Sequence, residues 1–263
     1  MTTMTTTTNL KNFDLILINS SGGKDSQAML DHMVRQATRE GVRDRLVVVH
    51  ADLGRVEWLG TRELAEYQAA TYGIPFVAVS RTSGDILDHV EARGFWPSSK
   101  ARFCTSDHKR DQVAKVVRRI AGERQAVNVL NCLGLRAQES SARAKKEVIV
   151  KDNRTSTKTR EVFTFHPILD WTEDQVWATI EDSGRPSHFA YALGMPRLSC
   201  VFCIFAPEAA LILAGQENPW LLKDFVRVEK KIGHTFKANM SIESIQAKIQ
   251  AGAQAATVAD WTM

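Results

Sequence analysis

The sequence predicts an α/β protein built on a doubly wound parallel sheet, and two observations indicate this class. Short apolar runs alternate with amphipathic helical patterns along the first half of the chain, in a βαβα order. These runs consist largely of Val, Ile and Leu without polar alternation, which is typical of parallel strands covered by helices on both faces. A chain of 263 residues with 44% hydrophobic content is long enough to bury such a core.

The elements follow one another in a regular order. We predict strands at 15–18, 46–50, 76–79 and 127–133, and helices at 26–38, 59–72, 84–93 and 107–121. A further helix at 173–182 begins after Thr172, a residue suited to capping it. Residues 207–250 carry apolar side chains at helical spacing. They are predicted to form a C-terminal helical segment that packs inside the protein or forms an oligomer face, as in a homodimer.

A glycine-rich loop joins the first strand to the first helix. Its adjacent glycines allow a tight turn and a close approach to an anion, and the N–H groups of the following helix point at that anion. A lysine adds a positive charge. A glycine-rich turn with an incidental lysine is the alternative, and the strand–loop–helix context favours it less. We predict a phosphate-binding loop formed by Ser20, Ser21, Gly22, Gly23, Lys24, Asp25 and Ser26.

Two further strand ends carry candidate binding residues, because parallel sheets bind ligands beyond the carboxyl ends of their strands. Asp52 follows the second strand and is predicted to contact a nucleoside, with a turn or cap residue as the alternative. Gly134 and Arg136 follow the fourth strand. Arg136, Glu139 and Arg143 are spaced so that they would share one helical face, on which the glutamate would orient both guanidinium groups toward phosphates. An exposed salt-bridged face is the alternative.

Positive charge is concentrated in one part of the chain. The net charge is +4, from 34 basic and 30 acidic residues, which is too small to indicate nucleic-acid binding by itself. The segment 136–160, however, contains eight basic and three acidic residues, a net charge of +5. It is predicted to be either a solvated basic hairpin or a docking surface for the phosphates of a large anionic substrate.

Neither a membrane span nor a secretory signal is predicted. The chain has no apolar run of about eighteen residues, and its threonine-rich start lacks both a basic region and an apolar stretch. We therefore expect a cytoplasmic protein with no membrane partner. The polar start is predicted to be a disordered tail over residues 1–11.

Five motifs follow one another along the chain. They are the loop at 21–26, His50-Ala51-Asp52, the segment 134–143, the segment 166–177 with His166, Asp170 and Trp177, and the pair Cys200 and Cys203. Taken in order, these motifs resemble the phosphoadenylylsulfate (PAPS) reductase family of the N-type ATP pyrophosphatase (PP-loop) superfamily. The resemblance covers residues 13–205 and is strongest to the ATP pyrophosphatase of bacterial DNA phosphorothioation systems. It implies an adenine nucleotide alpha hydrolase-like fold over 12–205, which the predicted helical segment 206–263 follows.

The same resemblance implies a chemistry of sulfur and adenylate. Reductases of the family attack sulfur with a cysteine near the C-terminus, whereas no cysteine follows Cys203 in this sequence. Nucleotide-sulfate reduction is therefore not the expected activity. We expect instead that ATP and Mg²⁺ bind at the loop and that a substrate oxygen attacks the α-phosphorus, so that pyrophosphate leaves and sulfur later displaces AMP. The residues assigned to catalysis are Lys24, Asp25, Arg136 and Arg143.

Three cysteines are candidates for a sulfur site. By resemblance, Cys104 takes the place of the first ligand of a 4Fe-4S cluster, and Cys200 and Cys203 provide two more. Relatives with a cluster have two adjacent cysteines at the first place, where this chain has Thr105 after Cys104. Zinc held with His108, or metal-free thiols that receive persulfide sulfur, are the alternatives. Cys132 lies within an apolar strand pattern and is predicted to be a core residue.

The expected partners follow from this chemistry. We expect DNA as the acceptor and a cysteine desulfurase or another protein as the sulfur donor. The alternatives are a tRNA thiolation enzyme, a nucleotide-sulfate reductase, a sulfate adenylyltransferase subunit and a non-catalytic ATP-sensing subunit.

Overall fold

The chain folds around one mostly parallel sheet. The computed structural model describes residues 8–261. Its six strands lie in the order β3-β2-β1-β4-β6-β5, where β1 pairs in parallel with β2 and β4, and β4 with β6. The strands are β1 Leu15–Ser20, β2 Leu46–Ala51, β3 Phe76–Val79, β4 Asn128–Cys132, β5 Ile149–Lys151 and β6 Glu161–Phe165. The predicted α/β class is confirmed, with the correction that the edge strand β5 runs antiparallel to β6.

The helices follow the predicted order closely. They are α1 Lys24–Glu40, α2 Thr61–Thr71, α3 Ile86–Arg93, α4 Phe103–Thr105, α5 Asp111–Glu123, α6 Ser141–Ala144, α7 Glu173–Ser183, α8 Glu208–Glu217, α9 Pro219–Ile232 and α10 Ile242–Gln250. A π-helical turn, Ser106–Arg110, leads from α4 into α5. Thr172 caps α7 as predicted, since its hydroxyl accepts a hydrogen bond from the N–H of Gln175 at 3.2 Å.

The described residues divide into two compact units. The sheet unit comprises residues 8–50, 62–79 and 113–187, and the helical unit comprises 51–61, 80–112 and 188–261. The boundary predicted at residue 205 stays a prediction. Residues 1–7 of the predicted tail lie outside the described residues, whereas Leu10–Asn12 form a 3₁₀ turn in which Leu10 is fully buried. That end of the predicted tail is folded because Leu10 packs in the sheet core.

Each unit has a core of its own. In the sheet unit, β1 buries Leu15–Ile18 completely, and α1 packs Met29 and Met33 into the same apolar cluster as Ile16 and Ile18. In the helical unit, Trp96 stacks on Phe225 with ring centroids 5.3 Å apart. Among the apolar residues of α9, Phe225 and Val228 are buried, whereas Trp220 is 54% exposed. Within the described residues, no helix has the length and apolar character that crossing a membrane requires.

Candidate functional site

The loop between β1 and α1 has the geometry of an anion-binding turn. Gly22 has a φ of +71°, which glycine adopts without steric cost. Gly23 precedes the helix in an extended conformation, and no side chain caps the first turn of α1. Ser26 holds the loop together, because its hydroxyl donates to the Gly23 carbonyl at 2.8 Å and accepts from the Ser21 N–H at 3.1 Å. Gly22 also donates to the Ser20 hydroxyl at 3.3 Å.

Lys24 lies inside the protein, at the first position of α1. Its side chain is only 2% exposed, and its Nζ atom lies 3.2 Å from Oε1 of Glu173. The ammonium also lies 5.9 Å from the ring centroid of Trp177. A buried ammonium requires a nearby anion, so this ion pair accounts for how the lysine is tolerated. Sequence reasoning missed Glu173 because an acidic residue in the first turn of a helix is common for reasons of the helix dipole alone.

Asp25 and Arg136 form the second ion pair of the site. Arg136 is 3% exposed, and its Nε donates to Oδ1 of Asp25 at 2.5 Å. Burial raises the pKa of the Asp25 carboxyl, and the adjacent Arg136 opposes that rise. Nη1 of Arg136 also donates to the side-chain oxygen of Gln138 at 2.8 Å, and the same oxygen accepts from the backbone N–H of Glu173 at 3.0 Å. One hydrogen-bonded chain thus joins the start of α1, the segment after β4 and the start of α7.

Gly134 brings the end of β4 against the loop. A Cβ atom at this position would lie 3.0 Å from the Asp25 carbonyl oxygen and 3.2 Å from the Ser26 Cα atom. A Cβ atom there would be in unusually tight contact with the backbone of the loop, so a residue larger than glycine would require this backbone to shift by a few tenths of an ångström. The strands β1 and β4 are neighbours from which the sheet continues in opposite directions. Such a switch point is where open α/β sheets bind their ligands.

The segment 136–143 is not the single helical face that the spacing predicts. Arg136 is extended, and a 3₁₀ turn at Ala137–Glu139 and an extended Ser140 separate it from α6. Glu139 nevertheless pairs with Arg143, and it accepts from the backbone N–H of Arg136 at 2.9 Å. The guanidinium of Arg136 instead reaches Asp25, because its extended backbone turns the side chain toward the loop. The roles assigned to these residues stay predictions.

Asp52 lies in the helical unit, directly after β2. Its carboxylate accepts a hydrogen bond from the N–H of Gly54 at 2.8 Å, which is the geometry of a turn residue. This contact is the local role named as the alternative for Asp52, and contact with a nucleoside stays a prediction.

The helical unit holds the three candidate sulfur ligands. Cys104, Cys200 and Cys203 are half-buried and pack against one apolar cluster. Burial raises the pKa of the Cys200 thiol to about 12 and also raises that of Cys203. The positive charge of Lys109 opposes both shifts. Cys132 is fully buried in the sheet core, as predicted.

The donors named for the zinc alternative do not lie together around one point in this structure. Among the donor atoms of residues 8–261, the three thiols do not form a ligand group within 4.8 Å of one another. Thiolates on a single zinc ion lie closer than that, since each Zn–S bond is about 2.3 Å long. His108 is also engaged elsewhere, because its Nε2 lies 3.0 Å from Nδ1 of His89. A cluster, zinc and metal-free thiols all stay predictions for these three cysteines.

Parts of the chain are similar in sequence to known proteins. A 130-residue part of the chain is 34% identical to an uncharacterised 37.8 kDa protein of Escherichia phage 186, covering 49% of this chain and 38% of that protein. A 70-residue part is 33% identical to the adenosine 5'-phosphosulfate reductase of Oceanobacillus iheyensis, covering 27% of each. The matches span less than half the length of the curated relatives.

The fold also has a counterpart among solved structures. The FMN adenylyltransferase of Candida glabrata, solved with FMN and an ATP analogue, superposes with a TM-score of 0.50 at 14% identity. The superposition covers 76% of this chain and 59% of that one. The six-stranded sheet with its flanking helices is accordingly of the adenine nucleotide alpha hydrolase-like type. The family model of the phosphoadenosine phosphosulfate reductase domain matches residues 16–206, and the chain therefore belongs to that family.

Proposed function

We propose that this protein cleaves ATP between its α and β phosphates and uses the adenylate to activate a substrate oxygen for replacement by sulfur. The observation that carries the proposal is the contact of the 134–136 segment with the loop. Gly134 allows β4 to approach the backbone of Asp25, and Arg136 lies buried against the Asp25 carboxylate. Two buried cations, Lys24 and Arg136, thus flank a glycine turn at the start of a helix.

This arrangement suits a leaving group that gains negative charge. A substrate oxygen attacks the α-phosphorus, the bond from that phosphorus to the bridging oxygen breaks, and pyrophosphate departs with the electron pair. The loop N–H groups, Lys24 and Arg136 would stabilise the charge that develops on the pyrophosphate. Arg143, held by Glu139, would contact the α-phosphate. Mg²⁺ bound together with the nucleotide would supply further charge neutralisation.

The three cysteines of the helical unit would deliver the sulfur. A nucleophile at the oxidation level of sulfide attacks the activated centre, the bond to the adenylated oxygen breaks, and AMP leaves with that oxygen. Cys104, Cys200 and Cys203 would hold a 4Fe-4S cluster, which supplies an open iron able to bind sulfide. Because burial raises the pKa of Cys200 to about 12, a bound metal would favour its thiolate. A cysteine desulfurase is a suitable source of this sulfur, provided that a thiol reductant supplies the two electrons that convert its persulfide sulfur to sulfide.

The charge distribution supports a nucleic acid as the acceptor, and we propose DNA, the acceptor that the family resemblance implies. The basic segment places Lys145, Lys146 and Lys158 on the surface of the sheet unit. Lys145 and Lys146 line a cavity of about 410 Å³ that also contacts Leu133 and Leu135, the residues on either side of Gly134. A phosphate backbone bound by these lysines would lie beside the proposed adenylation site. The resulting modification would be a DNA phosphorothioate.

Pyrophosphate release tests the proposal. Protein purified without oxygen is incubated with ATP, Mg²⁺ and a DNA duplex, and pyrophosphate and AMP are measured. Lys24→Ala should lower the rate by at least about a hundredfold, the typical effect of removing a transition-state contact. Lys223→Ala, which removes an exposed lysine of α9, should not change it. Undiminished release in Lys24→Ala would remove the proposed role of the loop.

A nucleotide-sulfate reductase is the second candidate, because the family model and the relative from Oceanobacillus iheyensis favour it. This activity cleaves a sulfur–oxygen bond and consumes a reductant, so it releases sulfite and no pyrophosphate. Incubation with adenylyl sulfates and reduced thioredoxin, with sulfite as the readout, separates the two candidates.

A further inference from the structure

The contact between Lys24 and Glu173 suggests a role for a residue outside the predicted site. The lysine is 2% exposed, whereas the glutamate side chain is 40% exposed. The ammonium is therefore enclosed by protein, and its carboxylate partner remains accessible from solvent. Their separation of 3.2 Å is that of a direct ion pair.

Glu173 is held in place by the elements around it. Thr172 caps α7, and its backbone N–H in turn bonds to the side chain of Gln175 at 2.8 Å. The backbone N–H of Glu173 donates to Gln138, which also accepts from Arg136. The backbone of Glu173 thus belongs to the hydrogen-bonded chain that includes Arg136 and Asp25. Its carboxylate approaches Lys24 from α7 rather than from the loop.

A phosphate bound at the loop would be a second anion for the same ammonium. We propose that Glu173 is the resting counter-ion of Lys24 and competes with phosphate for it. Without nucleotide, the carboxylate offsets the cost of burying the lysine. When pyrophosphate is bound, repulsion between it and the Glu173 carboxylate weakens the binding of pyrophosphate to the loop and promotes its release. This inference rests on the proposed function, because it requires that phosphates bind beside Lys24.

Two variants of adjacent residues test the inference. Glu173→Gln removes the competing charge and keeps the size of the side chain. Asp174→Asn is the matched control, since Asp174 occupies the same first turn of α7 and is exposed. Each substitution removes one negative charge that interacts favourably with the dipole of α7 at its N-terminus, so this effect cancels when the two variants are compared. Titration of inorganic pyrophosphate with Mg²⁺ into each protein, followed by calorimetry, measures the affinity.

Glu173→Gln should bind pyrophosphate about tenfold more tightly than the wild type, and the control less than twofold. Without ligand, Glu173→Gln should unfold at a lower temperature because Lys24 loses its counter-ion, and pyrophosphate should raise that temperature more than in the wild type. A purely structural role would lower the unfolding temperature and leave affinity unchanged. Glu173→Asp, which keeps the charge and withdraws it from Lys24, should show a smaller gain and serves if Glu173→Gln does not fold.

Two results would overturn the inference in different ways. If the wild type binds pyrophosphate and neither position-173 variant binds it more tightly, Glu173 is not a competing counter-ion, and the proposed function stands. If the wild type binds neither pyrophosphate nor a non-hydrolysable ATP analogue, the proposed function fails and the inference fails with it.

Discussion

Gly134 illustrates how one residue without a side chain positions the site. Alanine at this position would place a Cβ atom 3.0 Å from the Asp25 carbonyl oxygen, a backbone atom that cannot rotate away. Either β4 or the loop must shift. We therefore expect Gly134→Ala to weaken pyrophosphate binding by about tenfold or more and to lower the free energy of unfolding by about 1–3 kcal/mol.

Gly122 provides the control for this prediction. It lies in α5, and a Cβ atom there would contact nothing within 4 Å. Gly122→Ala should keep pyrophosphate affinity and raise the unfolding free energy by up to about 1 kcal/mol, because alanine is the better helix former. Calorimetry and urea unfolding measure both quantities. Equal pyrophosphate affinity in Gly134→Ala and the wild type would show that the close approach does not shape the loop.

The residues of the loop were predictable from sequence, but their partners were not. The glycines and Lys24 lie consecutively, so the chain displays them as a pattern. The pairing of Arg136 with Asp25 joins residues 111 positions apart, and the spacing of Arg136 from Glu139 suggested a helix that does not form. Glu173 was overlooked because its partner Lys24 is also distant in sequence and because acidic residues are common in the first turn of a helix. An ion pair between distant segments depends on the packing of α7, which no local pattern encodes.

At the scale of elements, apolar strands were the most predictable part of the fold. The first four predicted strands are present because buried strands need continuous apolar side chains. The hairpin of β5 and β6 was not assigned as strands. Val150 on β5 is 42% exposed, and Lys151 pairs with Glu161 across the hairpin. An edge strand with exposed and charged residues resembles a loop in sequence, and only its pairing defines it.

The π-helical turn Ser106–Arg110 determines the environment of a buried histidine. It buries His108 against His89, and Nε2 of His89 faces the guanidinium of Arg93 at 3.5 Å. Because the guanidinium can only donate, His89 accepts at Nε2 and donates from Nδ1 to His108. Burial, together with the smaller effects of the neighbouring His89 and Arg81, lowers the pKa of His108 to about 4. His108 is thus neutral in the folded protein at neutral pH.

This arrangement predicts acid sensitivity. The folded-state pKa of His108 lies below the value of 6.5 for an exposed histidine. The stability gained by keeping His108 neutral is therefore complete above pH 6.5 and is lost as the pH falls toward 4. The free energy of unfolding should fall by about 3 kcal/mol over this range, and His108→Gln should reduce its slope against pH there. His234→Gln, at an exposed position, should keep the slope. Urea unfolding between pH 8 and pH 4 measures it, and identical slopes for all three proteins would contradict the assignment.

At the scale of the whole molecule, the two proposed chemistries belong to different compact units. The loop, Gly134, Arg136 and Glu173 lie in the sheet unit, whereas Cys104, Cys200 and Cys203 lie in the helical unit. Each unit has its own apolar core. The helical unit is assembled from three separate stretches of sequence, an arrangement that no linear division of the chain can express.

This division predicts that the two activities can be lost separately. Cys200→Ser removes one thiol of the helical unit and should abolish sulfur incorporation into DNA while sparing pyrophosphate release. Reconstitution with iron and sulfide in the absence of oxygen should give about four iron atoms per wild-type chain and much less for this variant.

Cys132→Ala is the control, because Cys132 is a buried core residue of the sheet unit and its substitution should affect neither iron content nor sulfur transfer. Iron analysis and measurement of radioactive sulfur in DNA provide the readouts. The raised pKa of the Cys200 thiol gives it little reactivity without a metal, so iron binding and sulfur transfer should be lost together. Full iron content in Cys200→Ser would exclude Cys200 as a ligand. Full sulfur transfer in this variant would exclude Cys200 from sulfur handling.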